Sequence, residues 1–320
     1  MNPASRRRFL TAALVAVAAA AVPCAAVHAQ EQGPHKPRVA LVMKSLDNAF
    51  FVAMERGAQE YQKHNASQFD LVTSGIRDET DTASQIRIVE RMIASKVDAI
   101  VLAPADSKAL VPVVKKAIDA GIIVVDIDSP LDPGMLKARN LNVPFVGSDN
   151  RKGARKVGDF LAKRLKAGDA VGIVEGIATT PNAQQRTAGF RDAMKAGRIR
   201  VVSVQSGAWD TARGNAAAAS MLLAYPNLKA ILCGNDNLAL GAVSAVRAAG
   251  REGKVYVVGY DNIDAIKPML KDGRVLATAD QYGAKQAVFG IDTALKAVVE
   301  YRRQADMSAL VETPVDLVTK

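Results

Sequence analysis

The segment AIVLAPADSKALVPVVKKAIDAGIIVVDID, residues 99–128, decides the fold. Ala99–Ala103 is a short apolar run of the kind that forms a buried strand, and Ile122–Ile127 is a second, rich in β-branched residues. Between them, Lys108–Ala120 is amphipathic at helical spacing, and Gly121 sits where a helix C-cap belongs. Strand, helix and strand in succession make a βαβ unit, whose two strands lie parallel with a helix on one face.

The same alternation extends outward in both directions. Upstream, Arg38–Met43 and Phe69–Thr73 read as strands, with helices over Ala53–Lys63 and Thr82–Ser95. Downstream, strands are expected at Phe145–Gly147, Ala170–Val174, Arg200–Gln205, Lys229–Cys233, Lys254–Gly259 and Val275–Ala279. Helices such as Lys152–Leu165, Gln184–Ala196 and Leu238–Ala249 lie between them, the last ending at Gly250. So many strands exceed one sheet of usual size. The expectation is an α/β protein of two doubly wound parallel-sheet lobes, with ligand chemistry beyond the carboxyl ends of the strands. The loose segment Asp128–Pro144, rich in Asp, Pro, Gly and Asn, is the natural place to divide them.

Ser5-Arg6-Arg7-Arg8-Phe9-Leu10 precedes an Ala-rich apolar run, Ala12–Val22, and Val27-His28-Ala29 offers small residues to a signal peptidase. This is the pattern of a secretory signal over residues 1–29, cleaved near Ala29, which implies export to the periplasm. The run is shorter than the roughly 20 residues that span a bilayer. The S-R-R-x-F-L order resembles a twin-arginine export signal; a general secretory signal with a chance arginine run is the alternative. Of the two cysteines, Cys24 falls inside this segment, and Pro23 before it disfavours a lipoprotein. Cys233 then has no partner for a disulfide, so the fold rests on its core, and 49% hydrophobic residues suffice for one.

The chain carries 42 Lys and Arg against 32 Asp and Glu, a net charge of +10. These charges are interspersed along helical segments, the arrangement of a solvated surface rather than of a nucleic-acid footprint. Aromatics, at 5%, are too sparse for a base-stacking platform.

Several strands run into residues that carry hydrogen-bonding chemistry: Ser45-Leu46-Asp47-Asn48-Ala49-Phe50-Phe51, Asp126-Ile127-Asp128, Asn235-Asp236, Tyr260-Asp261 and Asp280-Gln281. Carboxylates accept from hydroxyls and amides both donate and accept, an inventory that suits a polyhydroxylated, uncharged ligand. Phe50, Phe51 and the lone Trp209 supply flat apolar faces, and Arg186 a fork of donors. Taken singly, each has a plainer role: Asp and Asn after strands cap helices, and Phe and Trp fill cores.

In order along the chain these motifs resemble the type I periplasmic sugar-binding proteins, most of all the ribose-binding kind, from about Arg38 to Leu317. The resemblance implies sugar contacts from Asn48, Phe50 and Phe51 in S-L-D-N-A-F-F, Asp128 in G-I-I-V-V-D-I-D and Arg186 in R-T-A-G-F. It adds Trp209 in G-A-W-D, Asn235 in G-N-D-N-L-A-L-G-A, Asp261 in V-V-G-Y-D and Gln281 in T-A-D-Q. Ser148-Asp149-Asn150 resembles the first hinge crossing, which implies one lobe over 37–147 and 282–310 and the other over 148–281 and 311–320. The pattern departs at Ser129, where ribose binders have an Arg, so the ligand's oxygen pattern is expected to differ from ribose at that point, as in a larger sugar or a polyol.

The resemblance implies a solute-binding protein that closes over a monosaccharide or sugar alcohol and presents it to an ABC transporter permease, without cofactor or metal. A receptor that presents its ligand to a chemotaxis or sensor partner is the alternative with the same fold. A transcriptional regulator would need a DNA-binding headpiece where this chain has a signal and a short polar leader. An enzyme is disfavoured: Met43-Lys44-Ser45-Leu46-Asp47-Asn48 after the first strand has no glycine for a dinucleotide, and there is no P-loop or G-x-S-x-G elbow. Past the signal only His35 and His64 remain, neither near the expected crevice, and an Asp128–Asp261 glycosidase pair is a weaker reading than hydroxyl binding.

Overall fold

A computed structural model describes residues 35–320, so the expected export signal lies outside the described residues. The 99–128 segment forms β3 (Ala99–Leu102), α3 (Val111–Asp119) and β4 (Ile123–Ile127), with β3 and β4 parallel from Ala99 opposite Ile123 to Leu102 opposite Asp126. α3 turns Val111, Val113, Val114 and Ala117 into the core. Gly121 takes φ +82°, the left-handed conformation that lets the chain leave the helix.

Before this unit come β1 (Arg38–Ser45), α1 (Ala49–His64), β2 (Asp70–Ile76) and α2 (Thr82–Ala94); after it come α4 (Pro133–Ala138) and β5 (Phe145–Ser148). The second series begins with α5 (Asn150–Ala162), β6 (Ala170–Glu175), α6 (Pro181–Ala196) and β7 (Arg200–Ser206). It continues with α7 (Thr211–Ala224), β8 (Leu228–Cys233), α8 (Asp236–Ala248), β9 (Tyr256–Val258), α9 (Lys267–Asp272) and β10 (Thr278–Asp280). α10 (Gly283–Val299), β11 (Leu310–Thr313) and β12 (Asp316–Val318) end the chain. None of the described helices is long and apolar enough to cross a membrane.

Six strands form a parallel sheet in the order β11-β5-β4-β3-β1-β2, four form a second in the order β7-β6-β8-β9, and β10 pairs antiparallel with β12. Strand order reverses between β1 and β3 in one sheet and between β6 and β8 in the other. These are the switch points where a crevice opens beyond the carboxyl ends of strands. β1 shows why its run reads as continuously apolar. Val39, Leu41 and Met43 pack with Phe50, Met54 and Ile291 on one face, and Ala40 and Val42 pack with Ile88 and Val114 on the other.

The chain passes between the sheets three times: after β5, between β10 and α10, and between β11 and β12. The segment 128–144 is therefore not the division expected of it. Asp126 Oδ2 accepts from Leu131 N at 2.6 Å, Leu131 is buried and Asp132 caps α4, so the segment folds back and delivers β5 beside β4. A boundary at 310/311 would fall inside β11, which pairs with β5 from Leu310 to Thr313.

Candidate functional site

The loops beyond the carboxyl ends of both sheets converge on a small cavity lined largely by polar and aromatic side chains. From the first sheet's side it is lined by Lys44, Asn48, Phe50, Phe51, Glu79 and Asp128. Asn182, Arg186, Trp209, Asn235 and Asp261 line the other side, with Gln281 at the second crossing. Nine of the ten residues expected from the sequence thus meet here.

On the first side, Lys44 is the second-last residue of β1, and its Nζ lies 2.8 Å from Asp128 Oδ2, both side chains 2% exposed. The same ammonium stands 5.8 Å from the centre of the Phe51 ring, and Phe50 and Phe51 meet edge to face at 5.1 Å. Asn48 is both helix cap and cavity wall: its Oδ1 accepts from Phe50 N at 3.0 Å and its Nδ2 donates to Glu79 Oε1 at 2.8 Å. Burial raises the Glu79 carboxyl above its ordinary range, with Lys44 and Asn48 opposing.

On the second side, Arg186 is held on four sides. Its Nε donates to Asn150 Oδ1 at 2.7 Å and its Nη1 to Gly234 O at 3.0 Å. Nη1 also stands 3.5 Å from Asp261 Oδ1, and the Tyr260 ring lies under the guanidinium, its centre 3.8 Å from Cζ. Gln281 Nε2 donates to Asp261 Oδ1 at 2.7 Å. Burial pushes the Asp261 carboxyl well above the ordinary carboxylate range, although Arg186 opposes it. Asn235 caps α8 by accepting from Leu238 N at 2.9 Å. Trp209 is 5% exposed, and its Nε1 is buried without a hydrogen-bond partner.

Ser129 alone of the expected residues does not line the cavity. It is 1% exposed, its N donates to Ile127 O at 2.7 Å, and the cation beside Asp128 comes from Lys44 instead. Lys44, Glu79 and Asn182 were not expected. Lys44 left a signal, a lysine inside an apolar strand run, whereas Glu79 and Asn182 stand among other polar residues with nothing to single them out.

The arrangement offers fixed donors and acceptors on both sides and no hydrolytic pair. Asp128 and Asp261 are each committed to a cation, and the described residues contain no cluster of His, Cys, Asp and Glu able to hold a metal. His64 is exposed on α1, its ring bonded to Glu60 O, and the Cys233 thiol is buried and pushed far up by that burial.

The periplasmic binding protein domain family matches residues 39–300. A D-ribose/D-allose-binding protein of Pseudomonas aeruginosa is 64% identical over 319 residues, covering 100% of this chain and 99% of that one. The crystal structure of an ABC transporter solute-binding protein from Burkholderia multivorans, with an unknown ligand represented as α-D-erythrofuranose, is 79% identical. It superposes with a TM-score of 0.88 over 89% of this chain and 100% of that one. A periplasmic solute-binding protein from Actinobacillus succinogenes with bound D-allose is 36% identical, with a TM-score of 0.84 over 89% of this chain and 98% of that one. The chain therefore belongs to the periplasmic binding protein family, among the sugar-binding components of ABC importers, and is a binding protein rather than an enzyme.

Proposed function

We propose that this protein captures a neutral aldose, D-allose or D-ribose, in the cavity between its two sheets. The observation that carries the reading is a cluster of buried polar side chains, contributed from both sides, around one cavity. A ligand that bridges Asp128 and Lys44 on one side to Arg186, Asn235 and Asp261 on the other binds the closed arrangement preferentially and shifts the population toward it. Closure is then the signal that an importer's membrane component reads.

Size and charge narrow the ligand. The cavity is tightly lined, with side chains from both sides converging on it, which favours a small ligand over an extended one. Lys44 and Arg186 each already stand against a carboxyl group, Asp128 and Asp261, so a sugar phosphate would have to displace one of them from its partner. Phe50, Phe51 and Trp209 supply the apolar faces for ring C–H groups. The 64% identical relative is named for both D-ribose and D-allose, which supports an aldose over a sugar alcohol.

Calorimetric titration of residues 30–320 with D-allose, D-ribose, D-glucose, ribitol and ribose 5-phosphate tests this. Saturable binding of D-allose or D-ribose at micromolar concentration, with none of the phosphate, is the expected result. A folded protein that binds neither aldose, or binds ribose 5-phosphate as well as ribose, would overturn it.

A further inference from the structure

Arg186 reaches the cavity from α6, but the group that fixes its plane does not. Asn150 is 1% exposed, lies outside the cavity wall and is the first residue of α5, directly after the chain leaves the first sheet. Its Oδ1 accepts from Arg186 Nε at 2.7 Å, while its Nδ2 donates to Ser148 O at 3.2 Å. Ser148 Oγ donates to Gln281 Oε1 at 3.4 Å, Gln281 Nε2 donates to Asp261 Oδ1 at 2.7 Å, and Asp261 stands against Arg186 Nη1. These contacts form a closed ring that joins Ser148 and Asn150 at the first crossing to three cavity residues, with Gln281 at the second crossing among them.

We propose that Asn150 is a positioning residue for Arg186, which sets the edge of the guanidinium that meets the sugar and ties that edge to the first crossing. The inference rests on the sugar-site reading above. A guanidinium is planar, and its Nε–H lies in that plane. Tyr260 stacking fixes the tilt of the plane, while its rotation is set by the in-plane partners, Asn150 at Nε and Gly234 O at Nη1. With Nε on Asn150 and Nη1 on Gly234, Nη2 is the nitrogen left for a ligand hydroxyl. An amide is required for both arms of Asn150: a carboxylate keeps the acceptor for Arg186 and loses the donor to Ser148.

The test is a double-variant cycle on the mature chain, with wild type, Asn150→Ala, Asn150→Asp, Arg186→Lys and Asn150→Ala/Arg186→Lys. Two readouts are taken: Kd for D-allose and D-ribose, and the Trp209 emission of the ligand-free protein, since Arg186 Cζ lies 5.5 Å from the Trp209 ring. Asn150→Ala is expected to weaken binding roughly 10- to 100-fold, the range for a lost hydrogen bond to a charged group. Asn150→Asp should restore affinity to within about fivefold of wild type. In the Arg186→Lys background Asn150→Ala should add little, because the pair is coupled. Trp209 emission should shift the same way in Asn150→Ala and Arg186→Lys.

Losses that simply add, an Asp variant as weak as the Ala variant, or an unchanged Asn150→Ala beside a weakened Arg186→Lys overturns the proposal and leaves the site standing. Wild type that binds neither sugar overturns the sugar reading instead; the emission comparison then decides on Asn150, and an Asn150→Ala spectrum identical to wild type beside a shifted Arg186→Lys refutes it. Asn150→Ser, which keeps a polar side chain at the buried position, runs the same cycle should the alanine variant not fold.

Discussion

Replacing Lys44 by Met removes an ammonium from the interior and keeps most of the side-chain volume. Lys44 Nζ and Asp128 Oδ2 are 2.8 Å apart with both side chains 2% exposed, so neither charge has water to fall back on. Taking one partner from such a pair leaves an uncompensated buried charge, at a cost of about 3–5 kcal/mol. Glu79, a second carboxylate on the same wall, adds to that cost. At about 2–4 °C per kcal/mol for a chain near this size, the melting temperature should fall by roughly 6–20 °C at pH 8. Lys44→Met/Asp128→Asn, which removes both charges, should recover much of the lost stability. Thermal unfolding followed by circular dichroism measures all three. A single variant within about 2 °C of wild type at pH 8, with a double variant no more stable than the single, would refute the assignment of a desolvated, mutually dependent pair.

Asp236 is buried beneath Thr278 Oγ1 and Ile263 N, and burial pushes its pKa from 3.8 up to about 7. Below about pH 4 it is protonated folded and unfolded; from there to about pH 7 only the folded form keeps the proton, so stability falls as pH rises through that window. At 1.36 kcal/mol per pH unit the loss is at most roughly 4 kcal/mol, and Asp236→Asn should shrink the difference between urea midpoints at pH 5 and pH 8; an equal difference in both proteins would sink the assignment. Gly176 has Trp209 packed directly over its Cα, and a Cβ added there overlaps the indole. Gly176→Ala should shift Trp209 emission and weaken sugar binding by about tenfold or more, and unchanged spectra and affinity would remove Trp209 from the wall. At the rim, Asp78–Arg213 and Arg56–Asp264 link the two sides at 3.8 Å, all four side chains more than half exposed. Such pairs contribute about 0–1 kcal/mol each, so Arg56→Ala/Arg213→Ala should change Kd by less than about thirtyfold; a larger loss would mean that rim charges, not the cavity, govern closure.

The fold was legible where strands are buried on both faces, because there the apolar runs are unbroken: β1, β3, β4, β6 and β8 lie where their runs predict. The sequence misleads near the crossings. Leu276 N bonds Val257 O and Val258 bridges Ala277, but the run expected to be a strand over Val275–Ala279 is ladder only from Thr278, where it meets β12. β11 and β12 carry exposed Glu312 and Asp316 and flank Pro314, so neither shows the signature of a buried strand. At the site, helix cap and cavity wall had seemed competing readings of Asn48 and Asn235. The structure gives both at once, because an amide that caps with its oxygen keeps its nitrogen free for another partner. Glu79 stayed hidden because a carboxylate in a polar loop reads as surface until its neighbours are known.

Backbone geometry explains why these particular residues face the cleft. Side chains on a strand point to the two faces of the sheet, never along its axis, so a group meant for the end of a sheet needs the chain to turn. Asp128 after β4, Trp209 after β7 and Asp261 after β9 do so with φ of +65°, +66° and +117°. Each such residue costs of order 1–3 kcal/mol and persists only where its surroundings over-determine it. The surroundings are visible: Lys44 holds Asp128, Arg186 and Gln281 hold Asp261, and the bare Cα of Gly176 makes room for Trp209. Asp tolerates the left-handed region better than most residues, but a tryptophan does not. Its position therefore coincides with the aromatic wall of the cavity, and the strain marks the same surface proposed to hold the sugar.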